Sequence, residues 1–384
     1  MVTVSCSGKF HAFALAEQME RHHLLDIFFT SYASQKNTIA RLLVKRTDKE
    51  SIPAANIHTN IPLAILTKLK PVAVFEWNNR FDKWVAGRLK KSGSKIFIGW
   101  SGMSEYSILR AKSLGMKTIV ERGSSHILYQ NDILKEEYKK FGIDFSIDNA
   151  VIEKELREYE KADYISIPSF FVKKSFLDKG VKETKLIINP YGASAFFAYK
   201  EKQQNGKYTI VYLGKLSIRK GLIYLFEALQ MLSIPEDAWE VWFIGSIDED
   251  FKPVTEKYKK NNWKFFGHIN HYELNPLLAK CDIGIQPSLE EGLSMVIPQL
   301  MSCGVPVIVT PNSGGENMVQ DGLSGFVVPV RNPSAIADKI MHLFNHNEEL
   351  QAMKLAAARA IKNGFTWNDY GDRYVNNLTR IVNE

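Results

Sequence analysis

The chain has 384 residues, 45% of them hydrophobic and 24% charged, a globular composition that excludes disordered, collagen-like and membrane-spanning chains. This length predicts two domains with a cleft between them, because one hydrophobic core rarely extends over so many residues. The three cysteines, Cys6, Cys281 and Cys303, lie in separate apolar stretches and form no disulfide or zinc framework. We therefore expect a folded protein of a reducing, cytoplasmic setting.

The net charge of +7 comes from one segment, residues 36–95. This segment contains thirteen Lys or Arg residues against four Asp or Glu residues, so the rest of the chain is slightly acidic. Its basic residues alternate with apolar ones, which suits a surface near anionic lipid headgroups or an anionic acceptor. A solvated basic face explains the pattern equally well. We expect no nucleic-acid partner.

The first half of the chain alternates short apolar runs with stretches of helical period, a pattern that predicts βα units on a parallel sheet. A glycine loop at Gly8, within SGKFHAFALAEQM, follows the first predicted strand. Residues 51–63 are the least regular part and are expected to form a loop. The predicted strands are residues 1–6, 26–29, 95–98, 117–120, 164–167 and 185–188.

A polar stretch at 201–207 interrupts this pattern, and a new strand then restarts it. We place the domain boundary there, which gives domains of residues 1–200 and 201–366. An amphipathic final helix, 367–384, is expected to cross back to the first domain. The predicted strands of the second half are residues 209–214, 240–245, 263–266, 282–288, 306–310 and 325–330, and the helices are 222–232, 333–345, 348–362 and one that ends at 302.

A basic loop follows the first strand of the second half. Gly214 ends that strand, and Lys215, Arg219 and Lys220 precede Gly221 and a helix. Ligands of open α/β sheets bind at the carboxyl ends of the strands, and a helix N-terminus offers free N–H groups to anions. The loop therefore suits a diphosphate, although surface lysines in loops are common.

An acidic turn, PSLEEGLSMVIPQ, follows another strand of the second half. Gly292 lets the backbone approach a ligand, and the N–H groups after it open a helix. Glu291 is then expected to face sugar hydroxyls in the cleft. Gln299 lies eight residues later, about two helical turns, so it can face the same ligand. A solvated acid and a helix-surface glutamine are the alternative.

These residues resemble a known family. Over about residues 205–384 the chain resembles the donor domain of the retaining family 4 glycosyltransferases, which have the GT-B architecture of two Rossmann-like domains across a deep cleft. GKLSIRKG resembles their phosphate loop, and EGLSMVIPQLMSCGVPVI resembles their Glu-Gly signature segment. The first half resembles the family more weakly, through its glycine loop and its order of strands and helices.

The chain departs from the family pattern at several positions. Lys215 stands where arginine is usual, Ser294 replaces a glycine, and the segment that leads to Glu316 is shorter. Gln299 stands where a glutamate usually holds the ribose, so the hydrogen-bonding capacity remains but the charge does not. The histidine that often follows the fourth strand of the acceptor domain has no clear counterpart. His126 is a possible substitute, and a helix-capping or surface histidine is the alternative.

The resemblance implies transfer of a sugar, with retention and without metal or cofactor, from a UDP- or GDP-linked donor to a glycan, lipid-linked or other hydroxyl acceptor. Fixed cations would stabilise the negative charge that develops on the leaving diphosphate. The expected catalytic residues are Glu291, Lys215, Lys220 and His126. The expected donor-binding residues are Gly8, Gly214, Lys215, Arg219, Lys220, Glu291, Gly292, Leu293, Ser294 and Gln299.

Two candidate metal motifs are set aside, and two other functions stay open. Residues 248–250 have the D-x-D form that binds a divalent metal, but they follow an inner strand and fit an acidic loop better. His342 and His346 have helical spacing without the glutamate of a zinc-protease helix. The alternatives to transfer are a catalytically silent subunit that binds a nucleotide or partner, and a sugar-nucleotide epimerase of the same fold.

Overall fold

The computed structural model describes residues 1–32, 51–60, 74–91, 93–201 and 206–383. Within these ranges the chain forms two parallel sheets, each with helices on both faces. We call the unit around the first sheet the first lobe and the unit around the second sheet the second lobe. The predicted α/β architecture with two Rossmann-like sheets is confirmed.

The first sheet has seven strands in the order β3-β2-β1-β4-β5-β6-β7, and the second has six in the order β10-β9-β8-β11-β12-β13. In both sheets the strand order reverses beside the first strand, which is the topology of doubly wound nucleotide-binding folds. The strands are β1 Val2–Cys6, β2 Leu25–Thr30, β3 Ile57–Thr59, β4 Ile96–Trp100, β5 Lys117–Glu121, β6 Tyr164–Ile167, β7 Leu186–Ile188, β8 Tyr208–Leu213, β9 Trp239–Ile244, β10 Trp263–Gly267, β11 Ile283–Gln286, β12 Val307–Val309 and β13 Gly325–Val327.

Helices cover both faces of each sheet and connect its parallel strands. They are α1 Ala12–Arg21, α2 Val74–Arg88, α3 Glu105–Ser113, α4 Ile127–Lys140, α5 Asn149–Lys161, α6 Phe170–Leu177, α7 Leu222–Gln230, α8 Lys252–Tyr258, α9 His271–Leu278, α10 Val296–Ser302, α11 Pro333–Asn345, α12 Asn347–Lys362 and α13 Trp367–Asn383.

Continuous apolar runs explain why the strands lie inside the sheets. Every residue of β1, β4, β9 and β11 is buried, as expected for parallel strands covered by helices on both faces.

Short polar side chains cap the N-termini of several helices. The Ser169 hydroxyl accepts from the Val172 N–H at the start of α6, and the Asn332 side chain accepts from the Ala335 N–H at the start of α11.

The expected loop at 51–63 is wrong in part. Residues Ile57–Thr59 form β3, which pairs in parallel with β2 at the edge of the first sheet. A three-residue edge strand that is only partly buried carries too little apolar alternation to be recognised in a sequence.

The final helix α13 packs on the first lobe. The Arg21 guanidinium of α1 pairs with Asp372, and the Gln18 amide contacts the Asn368 side chain at 3.4 Å. A Cβ atom on Gly371 would lie 2.5 Å from the Gln18 side chain, so the two helices approach closely at this glycine. The chain therefore returns to the first lobe after completing the second.

Much of the basic segment 36–95 lies outside the described residues, namely Lys36, Arg41, Lys45, Arg46, Lys49, Lys68 and Lys70. The segment's other basic residues belong to α2 or follow it. In the part of the chain that the structure describes, no helix combines the length and apolar character required to cross a membrane.

Candidate active site

A cleft lies between the two lobes, where the carboxyl ends of β1 and β4 face those of β8 and β11. These are the points at which the strand order of each sheet reverses, and open α/β sheets bind ligands there. The cavity has a volume of about 600 Å³. Its second-lobe wall is formed by Leu213, Gly214, Lys220, Glu291, Leu293, Ser294, Met295 and Val296.

The basic loop keeps its conformation through a glycine. Gly221 has a φ of +66°, and a Cβ atom there would lie 2.1 Å from the Pro287 carbonyl oxygen. Only glycine fits this close approach without moving the backbone. The loop therefore places Lys220 beside the strand end that carries the acidic turn.

The two lysines of the loop form ion pairs with acidic residues of the second lobe. Lys220 pairs with Glu291 at the cleft wall. The Lys215 ammonium lies 2.5 Å from an Asp248 carboxylate oxygen. Lys220 lines the interlobe cavity, Lys215 lines a second cavity, and Gly214 lines both, so a diphosphate near Gly214 would compete with carboxylates for these two charges.

Glu291 is only 8% exposed and is held from two sides. The Ser288 hydroxyl donates to its carboxylate at 2.5 Å, and Lys220 contributes the ion pair. Its backbone N–H donates to the Asn312 carbonyl at 2.9 Å. The side chain is therefore fixed at the cavity wall rather than solvated.

Gly292 brings the lobes into backbone contact. A Cβ atom at this position would lie 2.1 Å from the Gly123 carbonyl oxygen of the first lobe. The Ser169 hydroxyl donates to the Gly292 carbonyl at 2.6 Å. Gly292 therefore contacts the first lobe, while Leu293 and Ser294 line the cavity.

Glu290, the other acid of the turn, connects the lobes. Its fully buried carboxylate accepts from the Ser125 N–H at 2.9 Å, the Ser125 hydroxyl at 2.7 Å and the Gln130 amide at 3.0 Å. Arg219 pairs with it at 2.7 Å. Burial acts to raise the pKa of Glu290, but the Arg219 charge and the Ser125 hydrogen bonds together hold that pKa below its ordinary value.

The position of Arg219 corrects the expectation that it faces the donor. Its guanidinium contacts Glu290 and the Ser124 hydroxyl, at 3.2 Å for the latter, and it does not line the cavity. Arg219 therefore stabilises the contact between the lobes, and the two lysines are the loop cations that remain for a phosphate.

A second cavity of about 710 Å³ adjoins the first on the second lobe. Gly214 and Lys215 belong to its wall, and Gln299 of α10 faces it together with His268 and Asn270. Gln299 thus lies near Lys215 of the basic loop but lines a different cavity from Glu291. This arrangement suits a ligand that extends from one cavity to the other past Gly214.

His126 does not lie in the cleft, so its expected catalytic role is wrong. Its Nδ1 accepts from the Leu128 N–H at 3.3 Å and caps α4, and its ring packs on Tyr159 and Phe176. Burial, and then the charges of Arg122 and Lys179, lower the pKa of His126 to about 4. The helix-capping alternative is the one that the structure supports.

The first-lobe wall contains residues that sequence reasoning did not single out. His11, Trp100 and Arg122 all line the cavity. His11 follows the glycine loop after β1, so its position at a strand end was a signal that could have identified it. Gly8 itself lies against the Phe10 ring, and a Cβ atom there would meet that ring at 2.3 Å.

The residues of the two candidate metal motifs have other partners. Asp248 pairs with Lys215, and His342 lies 2.8 Å from a Glu349 carboxylate oxygen while stacking on His346. Over the described ranges no three His, Cys, Asp or Glu residues are grouped so that they could hold a metal ion.

Comparison with known proteins gives a family match in the second half. Residues 196–360 match the model of the family described as glycosyl transferases group 1. An uncharacterized glycosyltransferase of Methanocaldococcus jannaschii is 26% identical over 239 residues, which cover 59% of this chain and 60% of that protein. The chain spans less than two thirds of the length of the first curated relatives that it matches.

Solved structures match over almost the whole chain. HepE of Anabaena, in complex with UDP and glucose, has a TM-score of 0.67 at 13% identity and covers 99% of both chains. Sucrose-phosphate synthase from Thermosynechococcus elongatus has a TM-score of 0.72 at 14% identity, covering 99% of this chain and 98% of that one. These likenesses establish the shared fold.

Proposed function

We propose that this chain, which has the GT-B fold and matches the group 1 glycosyltransferase model over residues 196–360, transfers a sugar from a nucleotide diphosphate sugar to a hydroxyl acceptor. The observation that carries this proposal is the meeting of Lys220 and Glu291 at one wall of the interlobe cleft. A cation for phosphate and a carboxylate for sugar hydroxyls lie side by side there. The UDP complexes of HepE make UDP-glucose the first donor to test.

The lysines supply the charge that the leaving group needs. When the anomeric C–O bond breaks, negative charge grows on the diphosphate, so cations fixed beside it stabilise the transition state more than the ground state. Lys220 lines the interlobe cavity with Gly214, Lys215 lines the second cavity with Gly214, and both fit this role. Glu291, held by Ser288, would orient the hydroxyls of the transferred sugar.

Transfer with retention and without a metal is part of the proposal. The acceptor hydroxyl would enter on the face that the diphosphate leaves, and the departing phosphate would take its proton. No protein nucleophile is required on the opposite face in this scheme. The pairing of Asp248 with Lys215 supports the metal-independent form, because that carboxylate already has a cationic partner.

The acceptor is proposed to be a glycan or a lipid-linked hydroxyl compound, with an anionic membrane surface as a further partner. The charge of segment 36–95 supports this part of the proposal. Sedimentation with anionic vesicles at low salt, but not with neutral vesicles, is the expected result. Equal sedimentation with anionic and neutral vesicles would contradict a role for an anionic membrane surface.

Calorimetric titration with UDP-glucose, UDP and GDP-sugars in EDTA tests donor binding and metal independence together. We expect one nucleotide sugar to bind in EDTA. Asp248→Asn should bind the matching diphosphate about two- to fivefold more tightly, because it removes a competitor for Lys215 worth up to about 1 kcal/mol. Asp250→Asn is the control. Binding that requires added Mg²⁺ or Mn²⁺, and is lost in Asp248→Asn, would contradict the proposal.

A further inference from the structure

A histidine on the first-lobe wall lines the same cavity as Lys220 and Glu291. His11 is 5% exposed and occupies the N-cap position of α1, but its side chain does not cap that helix. Other contacts must therefore hold its ring.

Those contacts form a buried chain of three side chains. The Nε2 atom of His11 lies 2.9 Å from one carboxylate oxygen of Glu121, at the carboxyl end of β5. The Tyr374 hydroxyl of α13 donates to the other Glu121 oxygen at 2.5 Å. Glu121 and Tyr374 are 3% and 1% exposed. The final helix of the chain is thus connected to the cleft through Glu121 and His11.

Aromatic rings fix the plane of the imidazole. Its centroid lies 4.4 Å from that of Tyr191 and 5.0 Å from that of Trp100. With Nε2 placed at Glu121, the other ring nitrogen, Nδ1, has no hydrogen-bond partner among the described residues.

The carboxylate partner determines which nitrogen of the neutral imidazole carries the proton. When the imidazole is neutral and the carboxylate ionised, Nε2 must donate, because such a carboxylate only accepts hydrogen bonds, and Nδ1 then carries the lone pair. His11 lines the cavity, and a lone pair presented there would select a hydrogen-bond donor over phosphate oxygens, which are themselves acceptors. A sugar hydroxyl is such a donor.

We propose that Nδ1 of His11 accepts a hydrogen bond from a sugar hydroxyl in the cleft, and that Glu121 and Tyr374 are positioning residues that fix the imidazole tautomer. This inference rests on the proposed function, because it requires a sugar beside Lys220 and Glu291. The hydroxyl belongs to the transferred sugar or to the acceptor sugar, since both would meet in this cavity. The experiment below separates these two sources.

Two substitutions of His11 separate its two nitrogens. In His11→Gln the side-chain amide can reach Glu121 but leaves nothing at the position of Nδ1. In His11→Asn the amide lies near the position of Nδ1 but cannot reach Glu121. His126→Asn is the matched control, because it changes a buried histidine outside the cleft.

If the hydroxyl belongs to the transferred sugar, His11→Gln should bind UDP-glucose about three- to tenfold more weakly than wild type, with UDP affinity unchanged. His11→Asn should recover part of that loss. If His11 only supports the fold, both variants should lose UDP and UDP-glucose affinity in parallel with their stability.

Nitrogen NMR of the imidazole in the intact protein gives the direct readout. We expect the Nε2–H tautomer, and a shift of Nδ1 on addition of UDP-glucose for a transferred-sugar hydroxyl. A shift only when methyl α-D-glucopyranoside is added to the UDP-bound protein would assign the acceptor. Glu121→Gln, whose amide can donate to Nε2, should move the proton to Nδ1.

The absence of an Nδ1 shift under either condition, with UDP demonstrably bound, would overturn this inference and leave the proposed function intact. An unchanged tautomer in Glu121→Gln would overturn the role of Glu121. Failure of the wild-type protein to bind UDP or any nucleotide sugar would remove the proposed function, and the inference with it.

Discussion

Both lysines of the basic loop form ion pairs with acidic residues of the second lobe. Lys220 pairs with Glu291, and Lys215 pairs with Asp248. A diphosphate that binds these lysines must replace or share those contacts. The affinity for a diphosphate therefore depends on how much more favourable the lysine–phosphate hydrogen bonds are, in free energy, than the lysine–carboxylate pairs that they replace.

Lys220→Ala should weaken UDP binding by about 1.5 to 3 kcal/mol while leaving uridine binding nearly unchanged, because it removes a charge-assisted hydrogen bond to the diphosphate. Calorimetric titration of wild type and variant with both ligands measures the difference. Lys252→Ala is the control, since its ammonium pairs with Glu249 on the exposed surface. Equal losses for UDP and uridine would show that Lys220 does not contact the phosphates.

Residues next to a recognisable motif could be located from the sequence, and residues that depend on distant partners could not. Lys220 and Glu291 follow strand ends in glycine-containing turns, so their place at the cleft was predictable. His11 and Glu121 are 110 residues apart and meet only because β1 and β5 belong to one sheet. His126 was misjudged because its capping bond and aromatic neighbours are not visible in a sequence.

Among the helices, α4 is a first-lobe helix that contacts the second lobe through several side chains. The buried Glu137 carboxylate accepts from the Tyr224 hydroxyl at 2.5 Å and pairs with Arg331 at 2.8 Å, both in the second lobe. Gln130, the fourth residue of the same helix, contacts Glu290. The cap at His126 therefore fixes the first turn of α4, a helix whose side chains connect the two lobes.

The lowered pKa of His126 predicts acid-dependent stability. The folded protein favours the neutral ring of His126, with a pKa of about 4 against an ordinary value of 6.5. The contribution of this neutral ring to the free energy of unfolding is therefore complete above pH 6.5 and is lost as the pH falls toward 4. The variant His126→Asn retains a capping oxygen but cannot titrate. Between pH 6.5 and pH 4 the free energy of unfolding of wild type should fall by on the order of 3 kcal/mol more than that of this variant. Urea unfolding at a series of pH values measures this, and parallel pH profiles for the two proteins would contradict it.

Most strands were predictable to within two or three residues, because buried parallel strands are short continuous apolar runs between stretches of helical period. The exception, β3, is an edge strand of three residues that depends on its pairing with β2. Tertiary pairing, which no local pattern encodes, therefore determines the one described strand that the sequence analysis missed.

In the assembled molecule, Glu290 joins the lobes next to Glu291, which lines the cleft. It accepts hydrogen bonds from Ser125 and Gln130 of the first lobe and pairs with Arg219 of the second. Glu291 follows directly and lines the cleft, so one backbone turn carries both the lobe contact and a wall of the cleft. The sequence showed the two acids but not that only one of them faces the cleft.

Glu290→Gln should loosen this junction by about 1.5 to 3 kcal/mol, because a neutral amide cannot replace the charge opposite Arg219. We expect a lower free energy of unfolding and a larger radius of gyration in small-angle X-ray scattering. The control is Glu249→Gln, which changes an exposed acid that pairs only with its neighbour Lys252. Unchanged scattering and stability in Glu290→Gln would show that other contacts hold the lobes.

Release of UDP from UDP-glucose in EDTA, compared between wild type and Glu291→Gln, tests most directly whether this cleft transfers a sugar. If UDP-glucose is not the donor, the nucleotide sugar identified by titration replaces it. Glu291 is expected at the sugar, where positive charge develops in the transition state, and not at the nucleotide. We predict release by wild type, with turnover in Glu291→Gln reduced at least about tenfold and UDP affinity retained within about twofold. Full turnover in Glu291→Gln, or no release by wild type from any nucleotide sugar, would contradict the account.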